Sequence, residues 1–116
     1  MKQYTETHEW AEVTDGLIYV GISGHAVEEL GEIVYVSLPD TGASAEAGRP
    51  VCEIESVKAV AEVNAPVGGR VCKVNEDLAD APELLGENPD TWIFALEPSA
   101  PLAGLMSEAE YRKFAE

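Results

Sequence analysis

Short apolar segments interrupted by glycine and proline run through most of this chain. Residues 17–22, 33–38, 70–74 and 91–96 have the length and apolar character of strands. Two more segments, at 52–55 and 61–65, alternate apolar and polar residues with the period of two that is typical of half-buried strands. So many short strands in sequence predict a mainly β fold, either a small sandwich or a flattened barrel.

The two alternating segments frame a predicted hairpin tip at residues 55–59, and this tip carries a lysine, Lys58. Lysine is uncommon here, because Lys and Arg together account for 7 of 116 residues against 22 Asp or Glu. The tip lacks the Gly, Asn and Asp of tight two-residue turns, although a type I turn accepts its residues. Two interpretations remain open from the residues alone: a solvated turn charge, or a recognition signal formed by Val57 and Lys58.

Helical signals lie between and after the predicted strands. A short helix is predicted over 25–30, and residues 82–86 have the proline start and glycine stop of a single helical turn. The strongest signal predicts a C-terminal helix at about 107–115, where Ser107 and Glu110 have the spacing of a capping box. We expect this helix to cover one end of the sandwich.

Two similar stretches flank the hairpin tip. Residues 48–54 read Gly-Arg-Pro-Val-Cys-Glu-Ile, and residues 69–74 read Gly-Arg-Val-Cys-Lys-Val. The similarity predicts two half-sheets related by a pseudo-twofold axis, with Lys58 at the far end of one of them.

Size and charge limit the function classes. At 116 residues and 46% hydrophobic composition, the chain is expected to form one domain, 1–116. The net charge of −15 opposes binding to nucleic acid or to anionic membranes, and it favours either docking on basic partner surfaces or simply a well-solvated surface. No apolar run approaches the length of a membrane span and the first residues resemble no signal or transit peptide, so we expect a cytoplasmic protein.

Cysteines, histidines and tryptophans have structural interpretations. Cys52 and Cys72 lack metal or redox spacing and are expected to be reduced and buried, with a disulfide as the less favoured alternative. His8 is expected to pack beside Trp10, and His25 to lie on the short helix near a partner-facing surface. Trp10 and Trp92 are expected to be core anchors.

Motifs along nearly the whole chain resemble the H protein of the glycine cleavage system, a family of lipoyl carriers. The matching stretches occur in the family's order and spacing, and they are Thr7-His8-Glu9-Trp10, Gly21-Ile22-Ser23-Gly24-His25-Ala26, Leu30-Gly31-Glu32-Ile33-Val34-Tyr35-Val36, Leu38-Pro39, Glu55-Ser56-Val57-Lys58-Ala59, Asn64-Ala65-Pro66-Val67-Gly68-Gly69, Val74-Asn75, Pro82-Glu83-Leu84 and Trp92-Ile93.

The resemblance implies a fold, a cofactor and an attachment site. The fold is the lipoyl/biotinyl-type flattened β-sandwich, also called a hammerhead barrel, with short helices and a C-terminal helix. Lipoic acid is implied to be attached covalently to Lys58, with its recognition by the attaching enzyme depending on the four residues around the lysine: Glu55, Ser56, Val57 and Ala59. Attachment consumes the amine and converts the lysine into a tether, which raises the local concentration of the carried group.

The resemblance also implies partners. The H protein is a non-catalytic carrier that takes the aminomethyl group of glycine from glycine decarboxylase (P protein) and delivers it to aminomethyltransferase (T protein) in glycine catabolism and one-carbon metabolism. Dihydrolipoamide dehydrogenase (L protein) reoxidises it, and a lipoate-attaching enzyme modifies it. A shuttle that presents one tip to several enzymes is expected to be a monomer.

A cleft that shields the loaded arm is implied as well. The matching positions are Thr7, Glu9 and Glu62, and Glu62 stands where the family often has Asp. An acidic group in an apolar cleft would hold the ammonium of the carried group.

Departures from the family pattern leave alternatives. The family usually has a longer, glycine-containing loop before its late tryptophan, and Gly86 stands where Asn is common. An H-like protein that relays lipoyl or octanoyl groups to other acceptors therefore stays open, as does an unmodified β-sandwich interaction module. A biotin carrier is disfavoured because its Ala-Met-Lys-Met tip is absent, and a dehydrogenase-complex lipoyl domain because Val57 replaces the Asp of its Asp-Lys-Ala tip.

Overall fold

A computed structural model describes residues 1–115, and the single residue Glu116 of the predicted 1–116 domain lies outside the described part. The strands are β1 (Gln3–Tyr4), β2 (Glu9–Thr14), β3 (Leu17–Ile22), β4 (Ile33–Ser37), β5 (Ser44–Ala45), β6 (Pro50–Ser56), β7 (Val60–Asn64), β8 (Gly69–Val74) and β9 (Phe94–Pro98). The helices are α1 (Gly24–Leu30), α2 (Asp77–Asp80), α3 (Leu84–Glu87) and α4 (Glu108–Ala115).

The strands form two antiparallel sheets, which confirms the predicted β-sandwich. The large sheet has the order β1-β2-β3-β9-β8-β5, and the small sheet has the order β4-β6-β7. Apolar side chains from both sheets form one core, in which Ile54 of the small sheet and Phe94 of the large sheet are fully buried. The molecule measures 35 × 34 × 22 Å, so the sandwich is flattened.

The predicted hairpin is the β6–β7 pair of the small sheet. Its register pairs Glu55 with Val60 and Cys52 with Val63, and residues 57–59 connect the two strands. The two similar stretches that flank the tip lie in β6 of the small sheet and β8 of the large sheet. Each sheet therefore contains one copy, which is the arrangement that a pseudo-twofold relation requires.

The ends of two helices follow the predicted capping chemistry. At the start of α1, Ser23 Oγ accepts a hydrogen bond from the Ala26 amide, and Gly31 at its end has the positive φ of 77° that favours glycine. At α4, the Ser107 amide donates to Glu110 and the Glu110 amide donates to Ser107 Oγ, at 2.9 and 3.2 Å. The predicted capping box is confirmed.

Two predicted boundaries are wrong. The last strand begins at Phe94 and not at residue 91, because the Thr91 amide turns back to donate to the Asn88 carbonyl. Gly86 does not end the short helix predicted at 82–86. Instead, α3 continues to Glu87, because the Asn88 amide still reaches the Leu84 carbonyl.

Two predicted core residues are only half-buried. Trp10 is buried as expected, whereas Trp92 lies at the core margin with its ring edge-on to Tyr19 at a centroid distance of 5.2 Å. Cys72 is likewise half-buried, and its Sγ lies 3.5 Å from the Ala95 carbonyl oxygen. The partial exposure of Cys72 follows from the alternation of side chains in β8. Its neighbour Val71 points into the core, so Cys72 points to the opposite face of the sheet.

Both cysteines are free thiols, as predicted. Burial, reinforced by the nearby carboxylates of Glu9 and Glu53, raises the pKa of the Cys52 thiol to about 12. Cys52 is therefore a neutral core residue at physiological pH. Within residues 1–115, no helix is long and apolar enough to cross a membrane.

Candidate functional site

The lysine tip is a turn closed by a serine side chain. Ser56 Oγ accepts hydrogen bonds from the amides of Lys58 and Ala59, at 3.3 and 3.0 Å. The Ser56 amide donates to the Ala59 carbonyl at 2.8 Å, and the Val57 amide donates to the Glu32 carbonyl at 3.0 Å. The serine hydroxyl thus replaces the Gly or Asn that a tight hairpin usually uses, and the tip is anchored to the segment after α1.

Lys58 is exposed at this tip. Its side chain lies across the end of α1, where a Cβ placed on Gly31 would be 3.5 Å from Lys58 Cε. Val57 next to it is 67% exposed. Glu55 lies in register between Tyr35 of β4 and Val60 of β7, and all three are exposed. The lysine is therefore presented beside an apolar and acidic surface.

A cleft of about 240 Å³ opens beside Lys58. One wall is formed by α1 and the turn before β2. The other wall is formed by Ala59 of the tip and residues 60–63 of β7. The floor is apolar. The lining residues are Thr7, His8, Ile22, His25, Ala26, Glu29, Leu30, Ile54, Ala59, Val60, Ala61, Glu62 and Val63.

The structure brings two of the three proposed arm-binding residues to the cleft surface. Thr7 and Glu62 line it, and both are exposed. Glu9 does not line it, because its side chain is 1% exposed and lies behind Thr7. A group entering the cleft would meet Thr7 and Glu62 before it could reach Glu9.

The buried Glu9 carboxylate joins the two sheets. Its Oε1 accepts from the hydroxyls of Thr5 and Thr7, at 2.5 and 2.6 Å, and its Oε2 accepts from the Asn64 amide at 3.0 Å. Glu9 belongs to β2 of the large sheet and Asn64 to β7 of the small sheet. Three hydrogen bonds compensate for the burial of the carboxylate, and they attach the β7 end of the cleft to the large sheet.

His8 connects the cleft to the C-terminal helix. Its Nδ1 lies 2.6 Å from the Tyr111 hydroxyl, which is also 2.7 Å from Ser23 Oγ. Every atom is satisfied when Ser23 accepts from the Ala26 amide and donates to Tyr111, and Tyr111 donates to His8 Nδ1. Tyr111 is the buried residue of α4, so this chain of hydrogen bonds attaches α4 to both the turn before β2 and the cap of α1.

A second histidine lies against the first on the cleft wall. The rings of His8 and His25 are 4.6 Å apart between centroids, and His25 Nε2 is 3.0 Å from Glu29 Oε1. Burial and the neighbouring His25 lower the pKa of His8, although Glu29 and Glu9 oppose this effect. His8 is therefore neutral at physiological pH.

The sequence did not predict the contacts of the two histidines at the cleft. It also gave no role to Glu29 or to Asn64. His8 bonds to Tyr111, and His25 faces the cleft, where Glu29 joins it. The position of Glu29 could have been predicted, because it lies four residues after His25 and residues four apart share one face of a helix. Asn64, which binds Glu9, gave no such signal because the contact spans 55 positions.

The shortened segment before Trp92 lies away from the cleft. The Pro89 carbonyl in this segment accepts a hydrogen bond from Trp10 Nε1 at 2.9 Å, and residues 88–92 do not line the cleft. The segment before Trp92 therefore forms no part of the walls beside Lys58. Among the described residues, no group of His, Cys, Asp and Glu is arranged to hold a metal ion.

Replacing Tyr111 with phenylalanine is expected to raise the pKa of His8, because the neutral ring loses the donor that stabilises it. In the wild type, the pKa of His8 is lower in the folded chain than in the unfolded chain. His8 of the unfolded chain therefore binds a proton more readily than His8 of the folded chain. The free energy of unfolding therefore decreases as the pH falls below about 6.5, the ordinary histidine pKa. The variant should be less stable at neutral pH by about 1–2 kcal/mol and less sensitive to acid.

Titration of the His8 ring by NMR and unfolding at several pH values measure both effects. Tyr4→Phe is the control, because Tyr4 stacks on Tyr111 at 4.4 Å without contributing to the bond with His8. An unchanged His8 pKa in Tyr111→Phe would contradict the assigned direction of the hydrogen bonds.

Comparisons with known proteins find one family repeatedly. A family model described as "Glycine cleavage H-protein" matches residues 2–116. A probable glycine cleavage system H protein of Thermococcus gammatolerans is 51% identical over 118 residues, which cover 97% of this chain and 88% of the relative. The glycine cleavage system H protein of Thermotoga maritima is 45% identical, over 98% of this chain and 95% of the relative. A crystal structure of a glycine cleavage system H protein from Mycobacterium marinum matches with a TM-score of 0.90 at 34% identity, over 97% of this chain and 94% of that one.

Proposed function

The chain belongs to the glycine cleavage H-protein family, and from this membership we propose that it carries lipoic acid on Lys58 and shuttles the aminomethyl group of glycine between the enzymes of that system. The observation that carries the proposal is the position of Lys58, exposed on a turn closed by Ser56 and directly beside an apolar-floored cleft. Attachment and storage of an arm need these two features side by side.

The residues around Lys58 fit a covalent lipoyl group. The amine is exposed, so an attaching enzyme can reach it, and the hydrogen bonds of Ser56 hold the backbone of the tip in one geometry. The Lys58 side chain lies over Gly31 at the end of α1, and its neighbour Ala59 lines the cleft. When bound, the lipoyl group supplies a dithiolane whose sulfur takes up and releases the carried group.

The cleft would protect a loaded arm from water. Its floor is formed by four buried apolar residues, Ile22, Leu30, Ile54 and Val63. Glu62 on one wall and Glu29 on the other provide carboxylates for an ammonium group. Glu9 holds the walls in position from behind, while Thr7 presents a hydroxyl that is already oriented by Glu9.

The same surface suits several partners in turn. The proposed partners are glycine decarboxylase, aminomethyltransferase, dihydrolipoamide dehydrogenase and a lipoate-attaching enzyme. The net charge of −15 favours docking on basic surfaces around their active sites. In this role the chain is a carrier, and the catalytic residues belong to the partners.

Reconstitution with glycine decarboxylase tests the function. With the chain fully lipoylated, labelled bicarbonate is expected to exchange into the carboxyl group of glycine at a rate that depends on the chain's concentration. The unlipoylated chain is the control and should support no exchange above background. Absence of exchange despite complete lipoylation would contradict the shuttle role and favour the relay of lipoyl groups to other proteins.

A further inference from the structure

The cleft runs along a strand edge and not across a sheet face. Five consecutive residues, 59–63, line it. A sheet face presents only every second residue, since successive side chains point to opposite sides. Consecutive lining therefore means that the backbone of β7 itself borders the cleft, and β7 is indeed one of the two outer strands of the small sheet.

Hydrogen bonds identify which backbone groups face β6 and which face the cleft. The Ser56 amide donates to the Ala59 carbonyl, so the polar groups of Ala59 point toward β6. The Asn64 amide donates to Glu9 on the other side. Because a residue's N–H and C=O point to the same side in an antiparallel strand, those of Ala61 and Val63 face β6, as those of Ala59 do.

The backbone groups of Val60 and Glu62 consequently point away from β6, to the side on which the Asn64 amide meets Glu9, and both residues line the cleft. Asn64 has Glu9 as its partner, whereas the amides and carbonyls of Val60 and Glu62 have no hydrogen-bond partner among residues 1–115. The cleft wall is thus an open strand edge that is closed at one end by Glu9.

We propose that the Val60 amide donates a hydrogen bond to the carbonyl of the amide group formed when Lys58 is acylated, so that the stored arm lies along the open edge of β7. This inference rests on the proposed lipoylation of Lys58. In this proposal the backbone of β7 fixes where the arm lies in the cleft. The side chains of the cleft alone would not define that position.

Reach and chemistry both select Val60. The lysine stem spans about 6 Å from Cα to Nζ on bonds of about 1.5 Å. Two residues of strand advance about 6.6 Å, so an arm that folds back along β7 brings its amide level with Val60. A trans secondary amide directs its C=O and its N–H to opposite sides, so its carbonyl accepts from the Val60 amide while its own N–H points away from β7. The path begins at Lys58, whose neighbour Ala59 lines the cleft.

Backbone hydrogen exchange tests this assignment. The chain is compared before lipoylation and after loading with the aminomethyl group by glycine decarboxylase and glycine, with both states verified by intact mass. Exchange of the Val60 amide is expected to slow by about tenfold or more in the loaded chain. The amides of Ala61 and Val63, which face β6, serve as internal controls and should change little. Unchanged exchange at Val60 in a chain proven to be loaded would overturn the inference while leaving lipoylation intact.

Paired variants separate the backbone from the side chain. Val60→Pro removes the amide proton of Val60. This proton points away from β6, so the hydrogen bonds between β6 and β7 do not depend on it. Val60→Ala keeps the proton and shortens the exposed side chain. Ammonia is expected to leave loaded Val60→Pro faster than loaded Val60→Ala, and the rate from Val60→Ala measures the contribution of the side chain. Equal release from the two variants would assign the effect to the side chain. Protection of Val60 that requires a partner enzyme would identify a partner's peptide as the occupant, and either result would contradict the proposal.

Discussion

Replacing Lys58 with arginine is expected to abolish lipoyl attachment and leave the fold unchanged. Acylation needs a neutral amine with a free electron pair, and a guanidinium stays charged at every accessible pH. The side chain is exposed, so the free energy of unfolding should change by less than about 0.5 kcal/mol. The measurement is intact mass after incubation with lipoate, ATP and a lipoate-attaching enzyme, where the wild type should gain the mass of one lipoyl amide and the variant none.

Lys73→Arg is the matched control. Lys73 is an exposed lysine of β8 in the large sheet, near Tyr19 and outside the cleft lining. This variant should be modified as fully as the wild type. A lipoyl mass that persists in Lys58→Arg would assign attachment to another lysine. A wild-type chain that stays unmodified by a demonstrably active enzyme would favour the unmodified interaction module.

Replacing Glu9 with alanine is expected to cause the largest loss of stability among the proposed site residues. The change leaves the Thr5 hydroxyl and the Asn64 amide without their acceptor, and it breaks the contact between β2 and β7. Hydrogen bonds to a charged group contribute about 1.5–3 kcal/mol each, and exposed Thr7 can bind water instead. We therefore expect a decrease of about 3 kcal/mol in the free energy of unfolding, measured by denaturant titration.

Glu62→Ala distinguishes the two acids. Because Glu62 is exposed, its removal should cost less than about 0.5 kcal/mol. In the loaded chain, Glu9→Ala is expected to speed the loss of ammonia by loosening the wall formed by β7, and Glu62→Ala by removing a carboxylate from the cleft surface. A Glu9→Ala variant as stable as wild type would show that the carboxylate does not join the sheets. Equal ammonia release from Glu9→Ala and wild type would remove Glu9 from arm storage.

Local patterns predicted much of the fold because they depend on near neighbours in sequence. The alternation at 52–55 and 61–65 identified the hairpin, and the Ser107 and Glu110 spacing identified the start of α4. The errors arose where a distant contact or a turn overrides the pattern. Thr91 looks like the start of a strand, but its amide bonds to Asn88, and the strand begins only at Phe94.

The candidate site divides in the same way. Lys58 was identified from its tip and from the motif around it, since both are contiguous. Glu9 and Glu62 were matched as equivalent acids of one cleft, yet the first is 1% exposed and the second lies on the cleft surface. Whether a carboxylate lies beneath or beside a cleft depends on how two sheets pack, and residue type carries no information on that.

The sequence by itself determined the lysine tip, the family and six of the nine described strands, because side-chain alternation, capping and ordered motifs are properties of neighbouring residues. Only the tertiary structure decided which groups surround the arm. Packing of the two sheets buries Glu9 between them and leaves the edge of β7 open beside Lys58, while the pairing of β2 with β3 brings His8 against His25 of α1. These contacts join residues 17 and 55 positions apart, and the bond between Glu9 and Asn64 exists only after both sheets have closed on a common core.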